Sequence, residues 1–174
     1  MKPTASDLRD KIRDPRRLAV LESTGLLDTP AEARFDVLTQ RAASLLGVPA
    51  TFISLVDRDR DFHKSASGPS GQWSEVRQLE GLTFCHYTLG APSPLVIDDT
   101  ARDPVYRHVP SVTDLGVRAY LGVPLVIEGE VIGSFCAVAF EPRHWTDADI
   151  AVMSELAMAT LQAISSRQAS RAPA

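Results

Sequence analysis

The adjacent residues Cys85 and His86 are the pair in this sequence whose side chains are best suited to chemistry. A thiol next to an imidazole can be activated to the thiolate, which is the nucleophilic form. If the pair lies on a helix, however, the two side chains diverge by roughly 100° and do not face each other. Buried cysteine also commonly behaves as a small apolar residue. The reactive and the inert interpretation of Cys85 both stay open, whereas Cys136, inside an apolar run, is expected to fill the core.

A second group of chemically capable residues surrounds position 118. Arg118 and Tyr120 are two residues apart in an extended segment, so their side chains should lie on the same face of a strand. The guanidinium fork of Arg118 is suited to binding an anionic group. The alternative is a structural ion pair with Asp98, Asp99 or Asp114.

The stretch 99–115, DTARDPVYRHVPSVTDL, contains two prolines and little periodicity. Long irregular connections often carry or cover binding sites. We therefore expect Tyr106 and His108 to face such a site, and His63 and His144 to face solvent. No nucleophile, base and orienting group occur at a recognisable spacing, and no CxxC or HxxxH pattern occurs. The sequence thus predicts neither catalytic residues nor a metal site.

Composition narrows the class of protein. The chain has 174 residues, a formal net charge of −4 and a pI near 5.5, which argues against a broad surface for nucleic acid. No apolar run approaches the roughly 18 residues that are needed to cross a bilayer. The N-terminus has no hydrophobic stretch typical of a secretion signal. We expect one domain, located in the cytoplasm, that does not bind membranes.

These side chains must be positioned by a long apolar hairpin over 116–140, GVRAYLGVPLVIEGEVIGSFCAVAF. Its two arms are rich in β-branched and aromatic residues, and a turn is indicated at Glu128-Gly129-Glu130. A pair of strands this apolar belongs in the middle of a sheet, with one or both faces covered.

Helices are predicted before and after the strands along the chain. Asp14-Pro15 begins one helix that Gly25 ends, and Thr29-Pro30 begins another, with Glu32 completing a capping box. The second helix has an apolar stripe, and Gly47 and Pro49 end it; the stripe consists of Phe35, Leu38, Ala42 and Leu45. The last helix begins at Thr146 with Asp149 as the capping acid, and a polar tail that frays follows from Ser165.

The remaining segments are shorter. We predict strands at 50–57, 60–66 and 94–98, a short helix at 83–89, and a long loop over 67–81 with Trp73 as its apolar anchor. Consecutive strands with short turns favour antiparallel pairing. The fold class is therefore α+β: a five- to six-stranded antiparallel sheet with the N- and C-terminal helices on one face and the cover of a ligand pocket on the other.

Four stretches of the chain resemble the GAF domain, a small-molecule sensor module related in architecture to PAS domains. They are RLAVLESTGLLDTPAEARFDVLTQRAASLLGVP, TFISLVDRDRDFHKS, TFCHYTLGAPSPLVIDDTARDPVY and VRAYLGVPLVIEGEVIGSFCAV. The resemblance covers about 16–164 and implies a single GAF domain over 14–166, between a polar N-terminal segment (1–13) and a flexible tail (167–174). The chain as a whole resembles a stand-alone GAF protein.

The resemblance also implies a pocket between the sheet and the segments over 81–115. The candidate ligand-binding residues are Phe84, Cys85, His86, Asp98, Tyr106, His108, Arg118 and Tyr120. It implies a non-catalytic sensory module in signal transduction that binds a small molecule or a signalling partner. Such modules often form homodimers through their terminal helices. The resemblance leaves the ligand and any cofactor unknown, because fold alone does not assign function.

Other functions of GAF relatives depend on cysteines. Some members attach a bilin through a Cys-His pair about ten residues before the VRAYL-type strand; here Arg107-His108 occupies that place, so the attachment cysteine is missing. The free methionine sulfoxide reductases are enzymes that need a second thiol near the first, and 99–115 contains no cysteine. A thiol-dependent reductase and a ligand-free protein-interaction or dimerisation module are the alternatives to the sensor.

Overall fold

The computed structural model describes residues 4–68, 77–90 and 92–171. Its helices are α1 (Ala5–Ile12), α2 (Pro15–Ser23), α3 (Ala33–Leu46), α4 (Phe84–Thr88), α5 (Pro110–Thr113) and α6 (Asp147–Arg171). Its strands are β1 (Ala50–Val56), β2 (Arg60–Ser67), β3 (Gln78–Glu80), β4 (Leu95–Ile97), β5 (Ala119–Ile127) and β6 (Glu130–Ala139). Two short 3₁₀ turns, Thr100–Arg102 and Tyr106–His108, lie between β4 and α5.

The six strands form one sheet in the order β3-β2-β1-β6-β5-β4, and every neighbouring pair is antiparallel. The predicted hairpin is confirmed as β5 and β6, inside the sheet. Glu128 and Gly129 connect them with φ of 51° and 79°, the positive values that a two-residue turn of type I′ requires. The α+β fold class is confirmed as well.

The two faces of the sheet carry separate apolar clusters. We call the face that packs against α2, α3 and α6 the helical face. Its cluster includes Phe35, Leu121 and Met153. We call the other face the cavity face, and its cluster joins strand residues such as Tyr120 to Phe84 of α4. Strand alternation explains the division, because successive side chains of β5 point to opposite faces.

Two helix boundaries differ from the prediction, and the first is the start of α3. α3 begins at Ala33 with Glu32 as its N-cap and has no side-chain cap, so the predicted capping box from Thr29 is wrong. Thr29 instead accepts a hydrogen bond from Lys64 Nζ (2.7 Å), and Glu32 forms an ion pair with that same amine (2.6 Å). Tertiary contacts with a buried lysine therefore replace the local cap.

The C-terminal helix continues past the point where fraying was predicted. α6 extends to Arg171, and the predicted tail over 167–174 is helical as far as that residue. Arg167 is buried and its Nε lies 2.8 Å from Glu32 Oε2, while its Nη1 donates to the carbonyl oxygen of Gly25 at 3.1 Å. Polar residues continue the helix here because their partners lie on α3 and on the turn after α2.

The N-terminal segment also contains structure that its weak periodicity did not reveal. α1 has a capping box between Thr4 and Asp7, and Leu8 and Ile12 are buried in the cluster of the cavity face. In contrast to the other terminal helices, α1 therefore lies on the cavity side.

Two smaller expectations were wrong. The segment 67–81 was predicted as a loop, but Ser67 belongs to β2 and 78–80 form β3; Trp73 lies outside the described residues. Leu45 was predicted to face the core, but it is 57% exposed, and Leu46 is buried in its place. In the described part of the chain, no helix combines the length and apolarity that crossing a membrane demands.

Candidate ligand-binding site

A cavity of about 30 Å³ lies between the cavity face and the segments that cover it. The strands contribute Phe52, Ser54, Asp61, His63, Leu79, Tyr120, Cys136 and Val138 to its lining. The cover contributes Thr83, Phe84, Cys85, Ser111 and Val117. Most of this surface is apolar, and the polar groups are concentrated on β1 and β2.

The pleat of the sheet brings the polar groups together. Asp61 and His63 are two residues apart on β2, so they point to the same face. Ser54 on β1 is the direct partner of His63 in the antiparallel register. Directly opposed residues have their Cβ atoms about 5 Å apart, so the three side chains form one patch.

Each member of this patch has a buried atom without a hydrogen-bond partner among the described residues. These atoms are Ser54 Oγ, Asp61 Oδ1 and His63 Nδ1, and none of the three residues is more than 5% exposed. The other carboxylate oxygen, Asp61 Oδ2, accepts a hydrogen bond from the Thr83 hydroxyl at 2.8 Å. Because leaving a buried polar atom unpaired is costly, a cluster of such atoms around a cavity indicates a place for a polar ligand.

The neighbours Cys85 and His86 point to different places, as predicted for a helix. Cys85 lines the cavity, whereas the ring of His86 caps α4: the backbone N–H of Thr83 donates to His86 Nδ1 at 3.0 Å. His86 is buried, and burial lowers the pKa of its imidazole. Its position explains the start of α4, and a role in ligand binding stays a prediction.

The two cysteines lie side by side. Cys85 Sγ is 3.9 Å from Cys136 Sγ and 3.5 Å from the hydroxyl of Tyr120, and both thiols are free and buried. The hydrogen bond with Cys85, together with burial, raises the pKa of the Cys136 thiol well above its usual range. Burial likewise raises the pKa of Tyr120, whose hydroxyl lies 3.3 Å from Ser134 Oγ. Both shifts favour the neutral forms of Cys136 and Tyr120.

Aromatic side chains hold the cover on the sheet. The rings of Phe84 and Tyr120 stack with centroids 4.7 Å apart, and Tyr87 and Tyr106 meet edge to face at 5.1 Å. Burial raises the pKa of Tyr106 to about 12. Phe84 and Tyr120 line the cavity, as Cys85 does, whereas Tyr106 packs behind Phe84.

The other predicted site residues lie away from the cavity. Arg118 forms an ion pair with Asp99 at 3.0 Å, which is the structural alternative stated above. Asp98 accepts from the backbone N–H of Trp145 and lies 2.8 Å from the ring of His144.

His108 is the fifth predicted residue outside the lining, with His86, Asp98, Tyr106 and Arg118. It is exposed and accepts a hydrogen bond from Arg107 Nε at 3.0 Å. The ligand-binding role of all five stays a prediction.

Five polar lining residues were missed from the sequence: Ser54, Asp61, His63, Thr83 and Ser111. His63 was expected to face solvent, which is wrong, because it is 5% exposed. The available signal was the spacing of Asp61 and His63 around Phe62, which places two titratable side chains on one face of a strand next to the apolar β1. Among the described residues, no cluster of three or more His, Cys, Asp or Glu side chains is arranged to hold a metal ion.

The six-stranded antiparallel sheet, with helices on one face and a covered cavity on the other, defines an α+β module, and comparison with known proteins specifies its family. The family model of the GAF domain matches residues 30–164, which is more than half of the chain. The chain belongs to the GAF domain family, and the resemblance in the sequence is confirmed.

Individual relatives differ in what they do. A cyclic di-GMP phosphodiesterase from Pseudomonas aeruginosa is 29% identical over 145 residues, which are 81% of this chain and 24% of that protein. The chain thus spans about a quarter of the length of this relative. The blue-light absorbing form of the Thermosynechococcus elongatus PixJ GAF domain has a TM-score of 0.63 at 22% identity, with 91% of this chain and 96% of that chain covered.

An enzyme has the same fold. The free methionine-R-sulfoxide reductase from Neisseria meningitidis, solved with its substrate, has a TM-score of 0.60 at 21% identity and covers 86% of this chain and 89% of that chain. At these identities the structural matches show the fold alone.

Proposed function

We propose that this protein is a non-catalytic sensory GAF module of the cytoplasm that binds a small molecule in the cavity between Phe52 and Phe84. The observation that carries the proposal is the set of three unpartnered polar atoms around this cavity. Ligand pockets in proteins typically combine apolar walls with a few converging polar groups. The phosphodiesterase relative supports a place in signalling, since a matching region occurs in that larger protein.

A sensor must also convert ligand binding into a structural change elsewhere in the protein. The cover segments reach the cavity through Thr83 and Ser111, so a ligand that binds better to one position of the cover than to another shifts the balance between the two positions. Through β5, the cavity face is continuous with the helical face, where α6 packs. We infer that the signal leaves through α3 and α6.

These two helices also carry exposed apolar side chains, and we propose that they form a homodimer interface. Val37 and Leu45 of α3 and Met158 of α6 are 56%, 57% and 63% exposed. If the interface exists, Met158→Glu should convert a dimer to a monomer in light scattering at micromolar concentration. A monomeric wild type would contradict the proposal.

Thermal shift with a broad panel of nucleotides, amino acids, amines and haem tests the sensory proposal. A ligand that binds the folded state raises the Tm in proportion to RT ln(1 + [L]/Kd). Ser111→Leu, on the cover, should weaken this shift by filling the cavity, and Thr113→Leu, exposed on the same short helix, should not. If no compound raises the Tm, the ligand-free interaction module is the better interpretation.

A thiol-dependent reductase is the second candidate, because one observation favours it. The two sulfur atoms, 3.9 Å apart, are close enough for a disulfide after small rotations about the side-chain bonds. The reaction would need a thiolate to attack the sulfoxide sulfur, with the second thiol resolving the intermediate as a disulfide. Against it stands the raised pKa of Cys136, which makes its thiolate scarce.

A further inference from the structure

Asp61 is a buried carboxylate without a lysine or arginine partner among the described residues. Its side chain is 1% exposed, and within the described ranges no lysine or arginine forms an ion pair with it. The Thr83 hydroxyl donates to Oδ2 at 2.8 Å, and Nε2 of His63 lies 4.0 Å from the same oxygen. Burying a carboxylate without a compensating charge or a full set of hydrogen bonds is expensive.

The basic residues of the same strand are committed to the other side of the sheet. Lys64 lies over the ring of Phe35 on the helical face and forms its ion pair with Glu32. Arg60 forms ion pairs with Asp28 and Asp57. Alternation along β2 therefore places the acid on the cavity face and a lysine on the opposite face.

The unpartnered atoms around Asp61 can all accept hydrogen bonds. An ionised carboxylate is an acceptor on both oxygens, and a serine hydroxyl accepts as well as donates. A neutral His63 that keeps its proton on Nε2, the nitrogen facing the carboxylate, has an acceptor at Nδ1. With His63 in that form and Asp61 ionised, three acceptors surround one end of the cavity: Ser54 Oγ, Asp61 Oδ1 and His63 Nδ1.

The complement of such a site is a compact group with one positive charge and several N–H donors. A primary ammonium group has three donors and is about the size of a water molecule, for which a cavity of about 30 Å³ has room. The walls beyond it are Phe52, Phe84 and Val138, which suit an apolar body, and the aromatic faces also attract cations.

We propose that the end of the cavity formed by Ser54, Asp61 and His63 binds the ammonium group of a small, otherwise apolar primary amine. This inference rests on the proposed function, since it names the class of ligand for the same cavity. The ammonium group occupies the site beside Asp61, and the apolar part lies between Phe52 and Phe84. Because the cavity of about 30 Å³ has room for the ammonium group alone, binding of the apolar part requires the cover at Ser111 to move outward.

Thermal shift of the full chain with n-propylammonium chloride tests the proposal, at constant ionic strength and pH 7.5, where an alkylamine is protonated as lysine is. The expected result is a saturable rise in Tm. Potassium chloride, tetramethylammonium chloride, sodium propionate and 1-propanol should give no such rise, because each lacks either the charge or the N–H donors. An equal rise with potassium or tetramethylammonium overturns the proposal.

The variant Asp61→Asn keeps an acceptor for the Thr83 hydroxyl and removes the charge. It should weaken the apparent affinity for n-propylammonium by about tenfold or more, since breaking a buried charged contact costs more than 1.4 kcal/mol. Asp59→Asn, an exposed change in the preceding turn, is the matched control and should leave the affinity unchanged. If Asp61→Asn does not fold, Ser54→Ala removes one acceptor alone and should give a severalfold loss.

The outcomes separate this inference from the function on which it rests. One outcome is that an anionic or neutral compound stabilises the protein, that Ser111→Leu weakens this effect, and that n-propylammonium has none. This outcome overturns the amine-binding proposal and leaves the sensory proposal intact. An amine response that Asp61→Asn and Ser54→Ala leave unchanged also overturns the site. If no compound of any charge stabilises the wild type, both proposals fail.

Discussion

Cys85 on α4 and Cys136 on β6, 51 residues apart in the chain, meet with their sulfur atoms 3.9 Å apart under the cover of the cavity. Their contact joins the first turn of a five-residue helix to the centre of the sheet. Nothing in the local sequence around either residue indicates the other. A thiol-dependent reductase needs such a pair of neighbouring thiols.

We expect this pair to be catalytically silent. The protein should give no turnover of free methionine sulfoxide above background in an assay coupled to NADPH through thioredoxin, because the hydrogen bond between the two thiols, together with burial, raises the pKa of Cys136. Cys85→Ser is the control. A wild-type rate that this variant abolishes would show instead that the protein is a reductase.

Arg17 should be one of the most sensitive positions for stability. It is 2% exposed, and its guanidinium donates to the carbonyl oxygens of Lys11 (2.9 Å), Ile12 (2.7 Å) and Val56 (2.7 Å). Arg17→Met should cost about 3–5 kcal/mol in the free energy of unfolding, since three buried carbonyl groups lose charged donors. Urea denaturation followed by circular dichroism measures the change.

The neighbouring Arg16 provides the control for that experiment. Its side chain is 73% exposed and forms an ion pair with Glu130 at 3.0 Å. Exposed ion pairs contribute about 0–1 kcal/mol, so Arg16→Met should be nearly neutral. Similar losses in both variants would mean that Arg17 does not join α1 to β1 as the structure shows.

Gly133 is required by close packing of strands. A Cβ atom built there would overlap the carbonyl oxygen of Ser54 and approach Leu55 Cα within 2.9 Å. Gly133→Ala should therefore destabilise the protein by about 3 kcal/mol or more, because backbone atoms of β1 would have to move. Gly129→Ala is the comparison, with open space but a φ of 79°, and should cost only about 1 kcal/mol. Urea denaturation measures the loss of unfolding free energy in each variant, and the ratio of the two losses distinguishes atomic overlap from backbone strain. A smaller loss for Gly133→Ala than for Gly129→Ala would refute the predicted overlap with β1.

Stability should fall as the pH decreases below about 6.5, in part because of His86. Burial lowers the pKa of its imidazole, an effect that the charge of Asp61 opposes and that of Arg17 reinforces. Below the unfolded value near 6.5, the unfolded chain takes up a proton that the folded protein resists. The contribution of His86 to the free energy of unfolding is complete above about pH 6.5. As the pH falls further, this contribution decreases until the lowered pKa of the folded protein is reached, with a slope of at most about 1.4 kcal/mol per pH unit.

The variant His86→Asn isolates this effect. Its side-chain oxygen can still accept from the backbone N–H of Thr83, but it does not titrate. The free energy of unfolding between pH 7.5 and 5.5 should therefore fall less steeply than in the wild type. His108→Asn, an exposed change, should leave the slope as it is. Identical slopes for the wild type and His86→Asn would exclude His86 as the titrating group.

Local patterns predicted the elements whose signals are contained in a few neighbouring residues. The hairpin over β5 and β6, the start of α2 at Asp14-Pro15 and the capping box of α6 between Thr146 and Asp149 are all confirmed. Turn geometry, caps and apolar runs act over short range, so the sequence was enough to read them. The GAF resemblance extended that reading to the fold.

Distant contacts decided the rest. The side chain of Glu32 does not cap α3, because it forms ion pairs with Lys64 and Arg167. The contacts of Arg167 also stabilise α6 in a segment that was predicted to fray. Although burial alone would raise it, the hydrogen bonds from these two bases lower the pKa of Glu32. No window of neighbouring residues contains such information.

The candidate site, like the fold, was predicted only in part from the sequence. From the sequence and the GAF resemblance, we predicted an apolar sheet with a pocket cover on one face, and Phe84, Cys85 and Tyr120 at that pocket. The place of Ser54, Asp61 and His63 in the same site, and the ion pair between Arg118 and Asp99, follow from tertiary contacts. Strand alternation can be read along one strand, but the register between β1 and β2 and the placement of the cover depend on the packing of the whole chain.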